Sequence, residues 1–146
     1  MKITSIKTVS FLAVAAIALP ALASSNPELP PEQYEGSIGF ITGGIGAAEA
    51  KAFESQLNKH RLAIEVLEHT GKRDAFTGDA TVTIADKSGK PLLDVQADGP
   101  FMLVDLPPGR YSVTASLNDK VLKKRTVYVA NNQTARATFV FPASTD

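Results

Sequence analysis

From Arg61 onward, apolar and polar residues alternate with a period of two, and no other feature constrains the fold as much. Leu62, Ile64 and Val66 recur at every second position, as do Ala80, Val82 and Ile84. Tyr111, Val113, Ala115 and Leu117 form a third such run, and Ala135, Ala137, Phe139 and Phe141 a fourth. Successive side chains of a strand point to opposite faces, so the pattern belongs to strands with one buried and one wet face. Between the runs stand Lys87-Ser88-Gly89-Lys90, Asn118-Asp119 and Asn131-Asn132, residues that tolerate left-handed backbone at a reversal. The spacing predicts a mainly β, seven-stranded antiparallel sandwich, with strands at about 61–68, 79–86, 92–96, 100–106, 110–118, 121–130 and 133–141.

One run departs from alternation. Phe101-Met102-Leu103-Val104 is apolar on both faces, so both faces must be covered. The second sheet supplies one cover. Upstream, Ile45, Ala48, Ala52, Phe53 and Leu57 form one stripe of an amphipathic helix predicted over 47–58, which needs somewhere to bury Phe53 and Leu57. Packing that helix on the sheet that holds Phe101–Val104 satisfies both needs.

The N-terminus reads as an address. Lys2 and Lys7 precede an apolar run from Val9 to Leu19, Pro20 breaks it, and Ala21-Leu22-Ala23 offers small residues for a signal peptidase. The run is short of the roughly 20 residues that span a bilayer. The expected organisation is a signal peptide at 1–23 and a Pro-rich linker at 24–36 around Pro27, Pro30 and Pro31. A glycine loop and helix at 37–58 and a sandwich domain at 59–142 follow. The expected localisation is periplasmic, with no membrane span after cleavage.

Composition narrows the chemistry. With 0 Cys, the sequence excludes a lipid anchor on cysteine, disulfides, thiolate metal sites and a Cys nucleophile. Lys and Arg balance Asp and Glu at 15 each, and removing Lys2 and Lys7 with the signal leaves a slight acidic excess, so no nucleic-acid partner is expected. Lys123-Lys124-Arg125, the one basic run, reads as an edge strand protected by charge.

Gly99, Phe101, Leu106, Pro108, Gly109, Tyr111, Val113 and Ala115 fit the pattern G-x-F-x-x-x-x-L-x-P-G-x-Y-x-V-x-A. This resembles the core of carboxypeptidase regulatory-like domains, which have a transthyretin-like (prealbumin-like) β-sandwich. The segment Val82 to Leu92 fits the hairpin that precedes that core, and the stretch from Leu62 to Phe141 is compatible with the whole domain. Gly43-Gly44-Ile45-Gly46 with Glu49, joined to this core, further resembles a group of exported proteobacterial proteins of uncharacterised function. The resemblance implies a fold and an address, and no activity. The transthyretin-like purine hydrolases carry a C-terminal Tyr-Arg-Gly-Ser, where this sequence reads Phe141-Pro142-Ala143-Ser144.

The signature has a physical reading. Pro108 and Gly109 suit the central positions of a type II turn, with Gly109 taking the positive φ, so a branched residue at 109 is expected to destabilise the fold. Tyr111 is expected to face inward and bond back to the backbone across the corner.

Other candidate sites have plainer readings beside them. Thr42-Gly43-Gly44-Ile45-Gly46 opens a helix and imitates a dinucleotide-binding loop, but the third glycine position falls on Glu49, whose charge opposes a pyrophosphate. The plainer reading is a turn into the helix with Thr42 as its cap. His60 and His69 bracket one strand, too far apart to share a metal ion. Asp94, Asp98 and Asp105 flank adjacent strands, either as a weak calcium site or as solvated turn residues. Ser88, Ser112 and Ser116 have no nucleophile-elbow motif around them.

With no catalytic, cofactor or metal constellation, the expectation is a non-catalytic binding module of the cell envelope. Its expected partner is another envelope protein, a glycan or peptidoglycan, and its available surface is the exposed Ser/Thr/Arg faces with Tyr128. The alternative is a small periplasmic hydrolase or metal-binding protein built around His60 or His69.

Overall fold

Two sheets form from the alternating runs. A computed structural model describes residues 28–72, 74–118 and 121–143, so the expected signal peptide, the first part of the expected linker and Asp119 lie outside the described residues. The strands are β1 (Gln33–Glu35), β2 (Ile38–Gly43), β3 (Leu62–His69), β4 (Asp74–Phe76), β5 (Ala80–Ala85), β6 (Pro91–Gln96), β7 (Phe101–Asp105), β8 (Gly109–Leu117), β9 (Val121–Val129) and β10 (Ala135–Phe141). One helix, α1 (Ala47–Gln56), lies between β2 and β3.

The first sheet has the order β1-β2-β7-β3-β10, with β4 also paired to β3; the second has the order β6-β5-β8-β9. The mainly β, two-sheet architecture agrees with the sequence. The expected seven strands do not: the sheets hold six and four. The additions include β1, inside the stretch assigned to the linker, and the three-residue β4. Nor is the sandwich wholly antiparallel. β10 runs parallel to β3, with Ala135 opposite Leu62 and Phe141 opposite Glu68. The chain reverses at 130–133, where Ala130 and Gln133 form an antiparallel bridge, and β10 then joins β3 in the other sheet instead of pairing with β9.

The core fills the space between the sheets. Leu62, Ile64, Val66, Met102, Val104, Phe139 and Phe141 of the first sheet meet Val82, Ile84, Leu93, Val113, Ala115 and Val127 of the second. The outer face of the first sheet carries a second, smaller core, where Phe53 and Leu57 pack on Ile41, Ala63, Phe101 and Leu103. So Phe101–Val104 is covered on both faces, by α1 on one and by the second sheet on the other. The rings of Phe53 and Phe101 stack, with centroids 5.5 Å apart and planes at 10°.

The helix stripe is narrower than its sequence implies. Ala52 and Phe53 are buried within α1 and Leu57 just after it, whereas Ala48 is exposed and Ile45 is 69% exposed. The glycines before α1 tip Ile45 away from the sheet. Among the described residues no helix is long and apolar enough to cross a membrane.

At the rim, β9 is an edge strand, as its basic run suggests. Lys123 and Arg125 lie over the rings of Phe141 and Phe139, each 5.9 Å from the centroid, so they close the open side of the core, and Arg125 Nε donates to the Thr138 carbonyl at 2.8 Å.

Candidate binding surface

The second sheet turns outward a face that no helix among the described residues covers, and strand register assembles it. Asp94 of β6 lies opposite Thr83 of β5, Thr83 opposite Thr114 of β8, and Thr114 opposite Lys124 of β9, making one row across all four strands. Gln96, Thr81, Ser116 and Leu122 make the next row. On the other side lie Ala85, Ser112 and Thr126, and beyond them the directly opposed pair Arg110 and Tyr128. The central strands therefore present short hydroxyl side chains, framed by a carboxylate at one edge, a cation at the other and an aromatic ring at one end. At ordinary strand spacings the face measures roughly 14 Å by 20 Å.

At the Tyr128 end the face dips into a polar groove of about 390 Å³, lined by Asp86, Lys87, Arg110, Ser112, Lys124 and Tyr128, among others. Tyr128 is 70% exposed. The side chains of Arg110 and Lys124 have no hydrogen-bond or ion-pair partner among the described residues. Asp86 is partly committed to its own turn: its Oδ1 accepts from the Ser88 hydroxyl at 2.6 Å and from the backbone N–H groups of Ser88 and Lys90 at 2.8 and 3.0 Å. The bond from Ser88 holds its carboxyl below the usual value. The groove thus sets three cations against one carboxylate.

The turn signature lies beside this groove. Tyr111 of β8 is buried on the inner face of its sheet, and its hydroxyl donates to the Pro107 carbonyl at 2.6 Å, the bond across the corner that the sequence anticipates. Burial pushes the Tyr111 phenol up. Gly109 departs from expectation. It is the first residue of β8, its φ lies outside the left-handed region, and a Cβ there meets only the Tyr111 ring, at 3.6–3.7 Å. The Pro108-Gly109 step is therefore not a type II turn that requires glycine. Gly89 and Asn118 do take positive φ at their reversals, whereas Asn131 and Asn132 turn the chain without it.

The glycine loop has a structural explanation. Glu49 Oε1 accepts from the Gly44 N–H at 2.6 Å, so the helix entrance is already filled by the chain's own carboxylate. A Cβ on Gly44, at φ +98°, strikes the Phe101 ring, and one on Gly99 strikes the Gly43 backbone. These glycines let loop, helix and strand close over the Phe53–Phe101 stack. Thr42 is not the cap. It is buried, its hydroxyl accepts from the Asp98 N–H at 3.0 Å, and Gly46 holds the N-cap position without a side-chain bond. Beside the loop lies an open, mainly apolar recess of about 750 Å³ bounded by Ile45, Ala50, Pro100 and Asp79.

The histidines and aspartates do not converge. His60 Nδ1 lies 3.1 Å from Asp105 Oδ2, and the Arg61 N–H donates to Asp105 Oδ1 at 3.2 Å, which ties the start of β3 to the end of β7. His69 is at the opposite end of β3. Asp94 faces Thr83 on the second sheet, 3.1 Å from its hydroxyl, while Asp98 precedes β7 and Asp105 ends it. Among the described residues no group of three His, Asp or Glu side chains is placed to hold a metal ion. Ser88 serves its turn, and Ser112 and Ser116 stand on the open sheet face.

The sequence points to the open Ser/Thr/Arg faces and Tyr128 but leaves Thr83, Thr114, Lys124 and Asp94 unassembled as a row. Their only signal is that the polar half of the Ala80–Ile84 and Tyr111–Leu117 alternations is Ser or Thr rather than long charged residues. No protein-family model matches the chain, and a search of curated proteins finds no match.

Proposed function

We propose that this chain is a non-catalytic, exported binding module of the cell envelope that engages its partner through the outer face of the β6-β5-β8-β9 sheet. One observation carries the reading: hydroxyl side chains of β5, β8 and β9 line that face beside an exposed Tyr128 and the Arg110 and Lys124 side chains, which have no partner among the described residues. A flat, half-wet sheet surface with a rigid aromatic and adaptable hydroxyls suits recognition, because it orders few flexible side chains on binding. The hydrolase or metal reading has less support, since His60 is engaged with Asp105 and His69 stands at the far end of β3.

Membership among carboxypeptidase regulatory-like, transthyretin-like domains is part of the same proposal. The two-sheet sandwich and the Tyr111–Pro107 bond at the signature corner support it. So is residence in the periplasm through a cleaved signal at Ala23. Protein recovered from the periplasmic fraction should give an N-terminal sequence that begins at Ser24.

The test of binding is cross-linking in periplasmic extract, with a photoreactive residue in place of Thr114. Enrichment of one partner from Thr114 and not from an equivalent probe at Lys51 supports the proposal. Repeated absence of any enriched species from Thr114 overturns it.

A further inference from the structure

We infer that the ligand of this face is an acidic glycan, one whose sugar rings carry carboxylates; the inference rests on the binding reading above and narrows it to a chemistry. Three features of the face point the same way. The first is charge. The groove is lined by Lys87, Arg110 and Lys124 against Asp86 alone, and Asp86 spends one carboxylate oxygen on three bonds within its own turn. Two of these cations, Arg110 and Lys124, have no hydrogen-bond or ion-pair partner among the described residues, so an incoming carboxylate displaces no existing pair. A guanidinium binds a planar carboxylate through two parallel hydrogen bonds, which gives Arg110 geometric selectivity as well as charge.

The second feature is Tyr128, exposed and directly opposite Arg110 in the β8–β9 register. An exposed ring with a polar edge offers a flat apolar platform for the C–H face of a pyranose, and its partner across the strand pair meets a substituent at the ring's rim. The third is the hydroxyl field. Thr114, Ser112, Thr126, Thr81 and Ser116 each present a short side chain that both donates and accepts, which matches a ligand made of hydroxyls, while the Thr83 hydroxyl already donates to Asp94. Asp94, at the far edge of the same row, adds an acceptor for sugar hydroxyls and repels a second carboxylate. The face is therefore polar in a direction: carboxylate at the Arg110–Lys124 side, neutral hydroxyls toward β6. A nucleic acid, charged at every repeat and read by several stacked bases, fits a face with one aromatic and an acidic far edge less well.

The test is titration of the purified protein with tetragalacturonate, followed by backbone amide NMR. Maltotetraose serves as the neutral counterpart and an eight-residue oligothymidine as the competing polyanion. Expected are shifts confined to β8, β9 and β5, affinity for the acidic sugar at least tenfold above the neutral one, and weakening with added salt. Tyr128→Ala and Arg110→Gln should each lower that affinity about tenfold, and Arg110→Lys should restore only part of it. Lys51→Gln, on the helix, should leave it unchanged. Equal affinity for both sugars, tighter binding of the oligonucleotide, or shifts mapped elsewhere overturn the acidic-glycan inference. If no sugar binds while the Thr114 probe still captures a protein partner, the ligand class falls and the binding-module reading stands. If neither binds, both fall.

Discussion

Replacing Phe53 with Ala tests how α1 is held. The helix has ten residues, too short to persist alone in water, and its only large buried side chain is Phe53 at 0% exposure. Removing such a ring from a closed site costs about 3–5 kcal/mol, the range for buried Phe-to-Ala changes. Of this, roughly 0.5–1.5 kcal/mol belongs to the ring pairing itself. The same ring lies against Phe101 at 5.5 Å in a nearly parallel stack, so Phe53→Ala and Phe101→Ala remove one shared interaction. The double variant should then fall short of the sum of the singles by about 1 kcal/mol. Urea unfolding followed by far-ultraviolet circular dichroism gives the three free energies, and amide exchange over 47–56 reports whether the helix opens before the sheets do. A loss below about 1 kcal/mol for Phe53→Ala, or additivity of the pair, refutes the claim that this stack latches the helix.

Three further outcomes follow from the same packing. Gly99→Ala places a methyl group against the Gly43 backbone, which has nowhere to move, and should cost about 1–3 kcal/mol in urea unfolding. Gly109→Ala, whose Cβ meets only an ordinary contact with Tyr111, should change stability by less than about 0.5 kcal/mol, the opposite of the type II expectation. Tyr111→Phe removes the bond to the exposed Pro107 carbonyl, which water can re-satisfy, and should cost about 0.5–1.5 kcal/mol at neutral pH. Because burial raises the Tyr111 phenol above its ordinary 10.0, the folded state holds that proton more tightly than the unfolded chain does. Wild-type stability should therefore be intact below that value and decline as pH rises through it, and Tyr111→Phe should lose less over the same interval. Thermal unfolding as a function of alkaline pH distinguishes the two proteins.

What could be read from the residues depended on how far each signal reached. β3, β5, β8 and β10 were legible almost to the residue because one face of each is buried and the period of two is clean. Phe101–Val104 announced its two covers, and the helix that supplies one of them lay close by in the chain. β1 and β4 have three residues each, too few to carry a period. The parallel pairing of β10 with β3 escaped because it depends on where the 130–133 turn sends the chain, and Asn131-Asn132 looks the same whether it closes a hairpin or changes layer. Pro108-Gly109 misled for a related reason: the dipeptide suits a type II turn, but Gly109 already belongs to a strand. The candidate surface was half visible. Alternation separates its hydroxyls from the core, yet their alignment into rows is set by pairing among four strands that are not all neighbours in sequence.

The partnership of the last strand with β3 has a consequence for how the protein is made. Leu62 waits for Ala135, and the space between the layers stays open until Phe139 and Phe141 arrive. A growing chain cannot finish this sandwich before β10 is synthesised, since contacts so distant along the polymer form late and slowly. Loss of β10 should therefore abolish folding altogether rather than trim it, because it removes the Phe139 and Phe141 rings from the space between the layers.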